Sequence, residues 1–556
     1  MASLLLHGGS IWTGDAAQPW AQAVVVRGTD IAYVGPLAGA ESHLEPGAER
    51  LDLAGGMCLP GFIEAHNHLA MMGTAKVGCD LSGIDDVEGI QRRLADWIAA
   101  NPDAAVVRGH GWMPASFPNG SPRREQLDAV TGDRPGFIFS ADSHDAWANS
   151  AALALCGVSA ATPDPDPGKQ YWVRDPDGTP TGHVVEGAPT LLMAGPLGIF
   201  GAQSVRESQR LTLDPAPSWG ITSYMEAGVF VGPRGADAEP VYADLVARDL
   251  RGELDVRIVG THWTRFEADD PAEQVAVLRD WHARLRSPHL SIDILKIFVD
   301  GTFMSGGALV LEPLCGHAAS FGCGRTSLTP EHTERMIEAA HLAGFPTHIH
   351  VDADGSVRTV LDAFERVFAR HGRGTLRHTI AHNSMVHPDD LPRYADLGLI
   401  ANCTPLWGTN YNGLYADIYR DALGAARVEE RLFPYGDLVR SGAIVTYGSD
   451  IPGVTIAEIP PLLQLEALVT RQRPGFPDDE PLVPRQRIGL HDALRGYTLN
   501  GARQLMLDDR IGSLEAGKAA DLVVLGEDLF RVEPHAIHDV PVVMTMMDGR
   551  VTHDAR

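Results

Sequence analysis

From about residue 220 onward, short apolar runs rich in β-branched residues alternate with stretches of helical character, and this rhythm constrains the fold more than any other feature of the chain. The runs fall at 220–225, 255–260, 292–298, 346–350, 378–382, 399–403 and 443–450, and a further one at 58–65 leads into His66. Continuous apolar runs bounded by turn residues suit strands buried on both faces, and strands separated by helices pair in parallel. The stretch 330–340 is a representative spacer: Thr329 is placed to cap it, and Pro330 stands at the first helical position, where a missing N–H is tolerated. Eight such strands are the number that closes a parallel barrel, so the expected architecture is α/β, a (β/α)8 TIM-like barrel.

Both ends of the chain have a different texture. Short β-rich runs at 10–13, 23–26 and 31–34 are broken by Gly-containing turns, and similar runs return at 521–525 and 542–547, the last followed by Asp548-Gly549, a hairpin signal. The expectation is one small β-sandwich domain formed from both termini, residues 1–58 and 505–556, flanking a barrel at 59–504. Between about 70 and 215 the barrel rhythm fades and Pro, Gly and Asp become frequent, as in Thr162-Pro163-Asp164-Pro165-Asp166-Pro167-Gly168. This segment reads as an insertion after the first barrel strand, placed to cover a site.

Composition excludes several classes of function. With Lys+Arg 45 against Asp+Glu 72, the formal net charge is −27, which argues against nucleic acid and against anionic membranes as partners. The 6 Cys are scattered without a C-x-x-C pair, so neither a zinc ribbon nor a disulfide framework is expected. The apolar run at 4–6 is too short for a secretion signal and lacks a basic flank, and no stretch approaches the length of a membrane span. A soluble, cytoplasmic protein acting on a small molecule is expected, with a homodimer left open.

The ionisable residues at the strand ends carry the chemistry. They are His66 and His68, then Lys296, then His348 or His350, then His382, then Asp450. In a TIM-like barrel the C-terminal strand ends converge, so groups remote in sequence face one another. On a strand, two imidazoles spaced two apart share one face. Four neutral imidazoles, a carboxylate and a lysine form a ligand set for one or two divalent metals. An ammonium beside such metals is repelled, but burial and neighbouring positive charge lower its pKa. The neutral amine then either adds carbon dioxide, giving a carbamate that can bridge two metals, or forms a Schiff base with a carbonyl substrate. Lys296 stands between Leu295, Ile297 and Phe298, which argues against a surface position.

The substrate pocket is less sharply marked. Trp407, just past the seventh strand, and Trp112 and His144 in the insertion are candidates for lining it, with His110 and Glu186 beside them. No spacing rule singles them out, and each taken alone reads more readily as a packed aromatic or a hydrogen-bonded structural group. The Gly-rich loop 303–325 is placed to act as a lid.

These pieces resemble the amidohydrolase superfamily, most closely its YtcJ-like branch, which includes N-substituted formamide deformylases. The resemblance rests on Pro60-Gly61-Phe62-Ile63-Glu64-Ala65-His66-Asn67-His68, Lys296-Ile297-Phe298-Val299-Asp300-Gly301, His350 followed by Asp354, His382, and Gly448-Ser449-Asp450-Ile451-Pro452. Asp142-Ser143-His144-Asp145-Ala146-Trp147-Ala148-Asn149-Ser150, Pro180-Thr181-Gly182, and the stretches 493–500 and 512–523 are also similar to that branch, so it covers nearly the whole chain. The resemblance implies that His66 and His68 bind the more buried metal, that carboxylated Lys296 bridges two zinc ions, and that His350 and His382 bind the second. It implies that Asp450 ligates the first metal and shuttles the proton. The chain departs from the branch at Ala353, Ala381 and Ser384, where Gly, Glu and Gln are usual, and the ligand set is untouched.

The function expected is a metal-dependent hydrolase cleaving a C–N bond in an amide, carbamate or cyclic amide by attack of a metal-bound hydroxide. The alternative is metal-assisted C–C bond cleavage or addition at an activated carbonyl on the same site. A non-catalytic binding or scaffold role fits poorly with a complete ligand set.

Overall fold

The computed structural model describes residues 3–70, 75–200, 202–229, 238–264, 266–411 and 415–556. At its centre eight strands form one parallel sheet, numbered here β1 (Phe62–Asn67), β2 (Ile221–Glu226), β3 (Arg257–Thr264), β4 (Leu290–Phe298), β5 (Thr347–Val351), β6 (Thr379–His382), β7 (Ile400–Cys403) and β8 (Ile444–Tyr447). They pair in chain order from β1 to β8. All eight expected strands are present; β3 runs four residues beyond its expected end, because Thr261 to Thr264 continue the ladder against β4.

Closure between β8 and β1 is made by single bonds and by a helix. The Asp450 N–H donates to the His66 carbonyl at 3.2 Å. Gly448 lets these backbones touch, since a Cβ there would lie 2.6 Å from the His66 nitrogen. Beneath them, Asn402 Nδ2 donates to Thr446 Oγ1 (3.0 Å), Thr446 Oγ1 to Gln504 Oε1 (2.5 Å), and Gln504 Nε2 to the Ala65 carbonyl (2.5 Å). The helix Leu499–Gln504 thus ties β7, β8 and β1 into one ring. Among the outer helices, Pro330–Ala343 starts as expected, with Thr329 Oγ1 accepting from the His332 N–H at 3.2 Å.

Strands from both termini share one eight-stranded sheet, in which Met57–Pro60 lies antiparallel to Leu522–Leu525. Alternation along the strands sends Leu6, Val24 and Val26 into one apolar cluster with Leu522, Val524, Met544 and Met546, and Leu5, Ala23 and Val25 to the opposite face. The sheet curls on itself: the Ile31 N–H donates to the Lys518 carbonyl and the Ala520 N–H to the Thr29 carbonyl, both at 2.8 Å. Asp548 and Gly549 both take positive φ (45° and 70°) in the two-residue hairpin joining Val542–Met547 to Arg550–Asp554.

The segment after β1 is more ordered than its composition suggests. It holds a six-stranded sheet running from Cys79–Asp80 to Tyr171–Arg174 and a core of its own that includes Leu94, Trp112, Leu127 and Trp147. Among the described residues no helix is long and apolar enough to cross a membrane.

Candidate metal centre

The strand ends meet as the barrel geometry requires. Asp450, three residues past β8, stands at the focus: its Oδ1 lies 3.4 Å from His66 Nε2 and 3.5 Å from His68 Nε2, and its Oδ2 lies 3.6 Å from His382 Nδ1. Donor atoms of His66, His68 and Asp450 all lie within 4.8 Å of one another, close enough to share one ion. The His382 ring sits 4.7 Å from that of His66 and 4.2 Å from that of His350. These five residues and Lys296 line one partly open cavity of about 770 Å³, together with His144, Glu186 and Trp407.

The backbone works to aim these side chains. His382, Asn383 and Asp450 all lie in the left-handed region, with φ of 76°, 52° and 56°. Non-glycine residues hold that conformation only where the surroundings over-determine it. Asn383 supplies the restraint at β6: its Nδ2 donates to the Ile380 and Asn402 carbonyls, each at 2.9 Å, and its Oδ1 accepts from the Tyr394 hydroxyl. At β1, Asn67 Nδ2 donates to Ser449 Oγ (2.6 Å) while its Oδ1 accepts from the Ile451 N–H (3.2 Å), locking the first and last strand ends together.

The electrostatics of the same groups suit a bound cation. Burial, reinforced by the Lys296 charge, holds His66 and His382 well below the usual imidazole range, so both are neutral donors at pH 7. Burial pushes the Lys296 ammonium down to about 7, against the pull of Asp450. Burial raises the Asp450 carboxyl, opposed by His68 and Lys296. Both ring nitrogens of His382 are buried without a hydrogen-bond partner, although the residue is only 3% exposed. A buried polar group left this way is costly unless something outside the chain binds it, and an imidazole–carboxylate donor set suits a divalent metal such as zinc.

The two histidines of β5 divide their work. His350 faces the cavity, its Nδ1 held 3.1 Å from Asp300 Oδ1, whereas fully buried His348 sits behind His66, with its Nε2 2.8 Å from His66 Nδ1. His144 comes from the insertion; its Nδ1 lies 3.2 Å from Glu186 Oε2. Burial disfavours charge on His144, but Glu186 outweighs it and raises the imidazole to about 10. Trp407 stacks on His382 with ring centres 5.5 Å apart. Trp112 is not brought to this cavity: its Nε1 donates to the Ile138 carbonyl (2.9 Å), and one side borders a neighbouring cavity. His110 lies apart, 3.7 Å from Asp80.

Three carboxylates emerge that strand-end reasoning did not single out. Glu226 closes β2, with its Oε1 3.5 Å from His68 Nδ1 and its Oε2 accepting from the Ala70 N–H (3.0 Å). Asp300 orients His350 and also accepts from the Asp352 N–H (3.0 Å). Glu64 accepts from the Ser449 N–H, and burial raises it to about 8. The signal was available for two of them: Glu226 ends a barrel strand, and Glu64 lies two residues before His66.

Comparison with known proteins finds relatives along nearly the whole chain. N-substituted formamide deformylase from Arthrobacter pascens is 28% identical over 568 residues, covering 100% of this chain and 99% of that protein. Exoenzymes regulatory protein AepA from Pectobacterium carotovorum subsp. carotovorum is 30% identical over 461 residues, 81% of this chain and 93% of that protein. Among solved structures, an uncharacterized metal-dependent hydrolase from Pyrococcus horikoshii OT3 superposes with a TM-score of 0.71 at 22% identity, covering 96% of this chain and 99% of that one, a likeness of fold. Residues 49–553 match the model of the Amidohydrolase family, and with the barrel and its convergent histidines in place, the chain belongs to that family.

Proposed function

We propose that this protein hydrolyses a C–N bond of a small organic molecule, an amide, carbamate or cyclic amide, at a centre of two zinc ions held by His66, His68, Lys296, His350, His382 and Asp450. The observation that carries this reading is His382, buried with both ring nitrogens unpartnered and 3.6 Å from the Asp450 carboxylate on which His66 and His68 also converge. A divalent metal bound there supplies Lewis acidity, polarising a carbonyl and lowering the pKa of water from about 15.7 to near 7.

The chain's own groups do the rest. Lys296, with a pKa near 7, presents a neutral amine to carbon dioxide; the N–C bond forms, a proton leaves, and the resulting carbamate is an anionic ligand. Asp450 accepts a proton from the attacking water and returns it to the leaving nitrogen. His144, turned by Glu186, donates a hydrogen bond to the substrate from the opposite wall, and Trp407 flanks it. An acidic chain with a cavity of this size suits a small cytoplasmic substrate rather than a polymer.

Chelator-treated protein, its metal content checked by mass spectrometry, is assayed on N-substituted formamides, carbamates and hydantoins before and after zinc and bicarbonate are restored. Activity should vanish and return, and the Lys296 peptide should gain the mass of one carbon dioxide. Unchanged turnover in protein verified as metal-free eliminates the reading.

A further inference from the structure

A second, partly open cavity of about 690 Å³ adjoins the first, and the chemistry proposed above makes no use of it. The two share Asp142, Trp407 and Gly453 in their walls. Trp407 is the partition: it stacks on His382 at an interplanar angle of 19°, and its Nε1 donates to the Gly453 carbonyl at 3.3 Å. The second chamber therefore lies across one indole from a substrate bond held beside His382.

The far walls of that chamber are a run of aromatic rings. Tyr411 meets Tyr415 edge-on (centres 5.6 Å apart, 74°), Tyr415 meets Tyr419 (5.5 Å, 68°), and Tyr419 meets Phe433 (5.6 Å, 73°). Phe303, from the loop after β4, joins at 5.9 Å from Tyr419. Rings in such T-shaped arrays present alternating faces and edges, the arrangement that a further ring continues favourably.

Charge narrows the occupant. Among the described residues no lysine or arginine lines the chamber, which disfavours an anion as its occupant. Its two carboxylates are already engaged. Asp142 accepts from the Ser140 hydroxyl (2.5 Å), the His144 N–H (3.2 Å) and the Thr302 hydroxyl (3.0 Å). Asp352 accepts from the Phe303 N–H (2.9 Å). Two hydroxyls are taken as well: Tyr411 donates to Glu458 Oε2 (2.8 Å) and Tyr415 to Met113 Sδ (3.6 Å).

We propose that this chamber is a binding site for a neutral aromatic arm of the substrate, joined by a short linker to the C–N bond that the metal-facing cavity cleaves. The inference rests on the hydrolytic reading and adds the substrate class to it: an N-arylalkyl amide or carbamate.

The test pairs two substrates that differ only in the ring. On the metal-loaded enzyme, kcat/KM for N-phenethylformamide should exceed that for N-ethylformamide by roughly 100-fold. Met113→Trp, which fills the chamber from its edge, and Tyr419→Leu should each collapse that ratio at least tenfold. A wild-type ratio near one overturns the proposal, as does a ratio unmoved in both variants. Binding of 2-phenylethanol, followed by calorimetry on the same metal-loaded proteins, reports on the chamber independently of turnover. Saturable binding to wild type that weakens in Met113→Trp supports the site even if neither formamide is hydrolysed, a result that would count against the hydrolytic reading alone; absence of binding overturns the site.

Discussion

Replacing Lys296 by methionine should stabilise the metal-free protein while abolishing its activity. Lys296 is 2% exposed within β4, and burial holds its ammonium at about 7 against an ordinary value of 10.5. A base whose folded pKa lies below its unfolded one is protonated more readily in the unfolded chain. The penalty is therefore fully present below pH 7, shrinks as pH rises from 7, and is gone above about 10.5. At about 1.36 kcal/mol per unit, it amounts to roughly 5 kcal/mol at pH 6. Methionine has a similar length and no charge to bury. Unfolding entropy of about 2.1 cal/mol/K per residue converts the difference to a rise of about 4 °C in Tm for a chain this long. Metal-free wild type and Lys296→Met, compared by differential scanning calorimetry in bicarbonate-free buffer, should differ by that amount at pH 6 and converge toward pH 10. With zinc and bicarbonate present the order should reverse, since only the wild type gains metal binding energy. A metal-free variant that melts below wild type at pH 6, or a gap that ignores pH, would refute the claim that a buried ammonium is being held at a cost for metal binding.

Three further outcomes follow from the same structure. Asp450→Asn should keep the fold, because the Asp450 N–H that bonds His66 is backbone, yet lower kcat on the best amide by about 100-fold or more; steady-state kinetics beside a thermal melt checks both halves. Asn383→Ala removes two donors to carbonyls and the acceptor for Tyr394 at a left-handed residue. It should cost about 3 kcal/mol in urea unfolding and weaken zinc affinity, since His382 loses the turn that aims it. Asp548, at the terminal hairpin, is opposed by burial but held at about 2 by His289, Arg257 and Arg510. A lowered carboxylate pKa contributes stability that is present above about pH 4 and lost as pH falls toward 2. Asp548→Asn should therefore cost roughly 2 kcal/mol at pH 7 and only a small fraction of that at pH 2, measured as the acid limb of a urea series.

The barrel was legible because its strands are largely buried and so carry short apolar, β-branched runs, and because the fold sends every such run to the same mouth. His66, His68, Lys296, His382 and Asp450 could be gathered on that rule alone. The choice between His348 and His350 could not, because both lie on one face of β5 and only packing separates them: His348 is taken up by His66, while His350 meets Asp300. The sheet in the insertion was hidden for a related reason. Strands of two or three residues, such as Cys79–Asp80 and Ala146–Ala148, are too short to carry a period, and they are held by neighbours far along the chain.

Trp112 and His144 show where local reading ends. They lie in one insertion and read alike as pocket candidates, yet His144 shares a cavity with the strand-end histidines while Trp112 borders the aromatic chamber. What separates them is the left-handed backbone at Ser143 and Glu186 (φ 61° and 67°), which turns His144 and its carboxylate partner inward. Neither residue type announces that conformation. It persists because the Glu186 N–H is held by Asp145 Oδ1 at 2.9 Å, while the side chain packs on Gly301, where any Cβ would collide with its carboxylate. The candidate metal ligands are thus a property of the barrel and could be read from its strands. The substrate side belongs to an insertion whose aim is set by contacts with the loop after β4, so its specificity is written in pairs of residues that no single stretch of sequence contains.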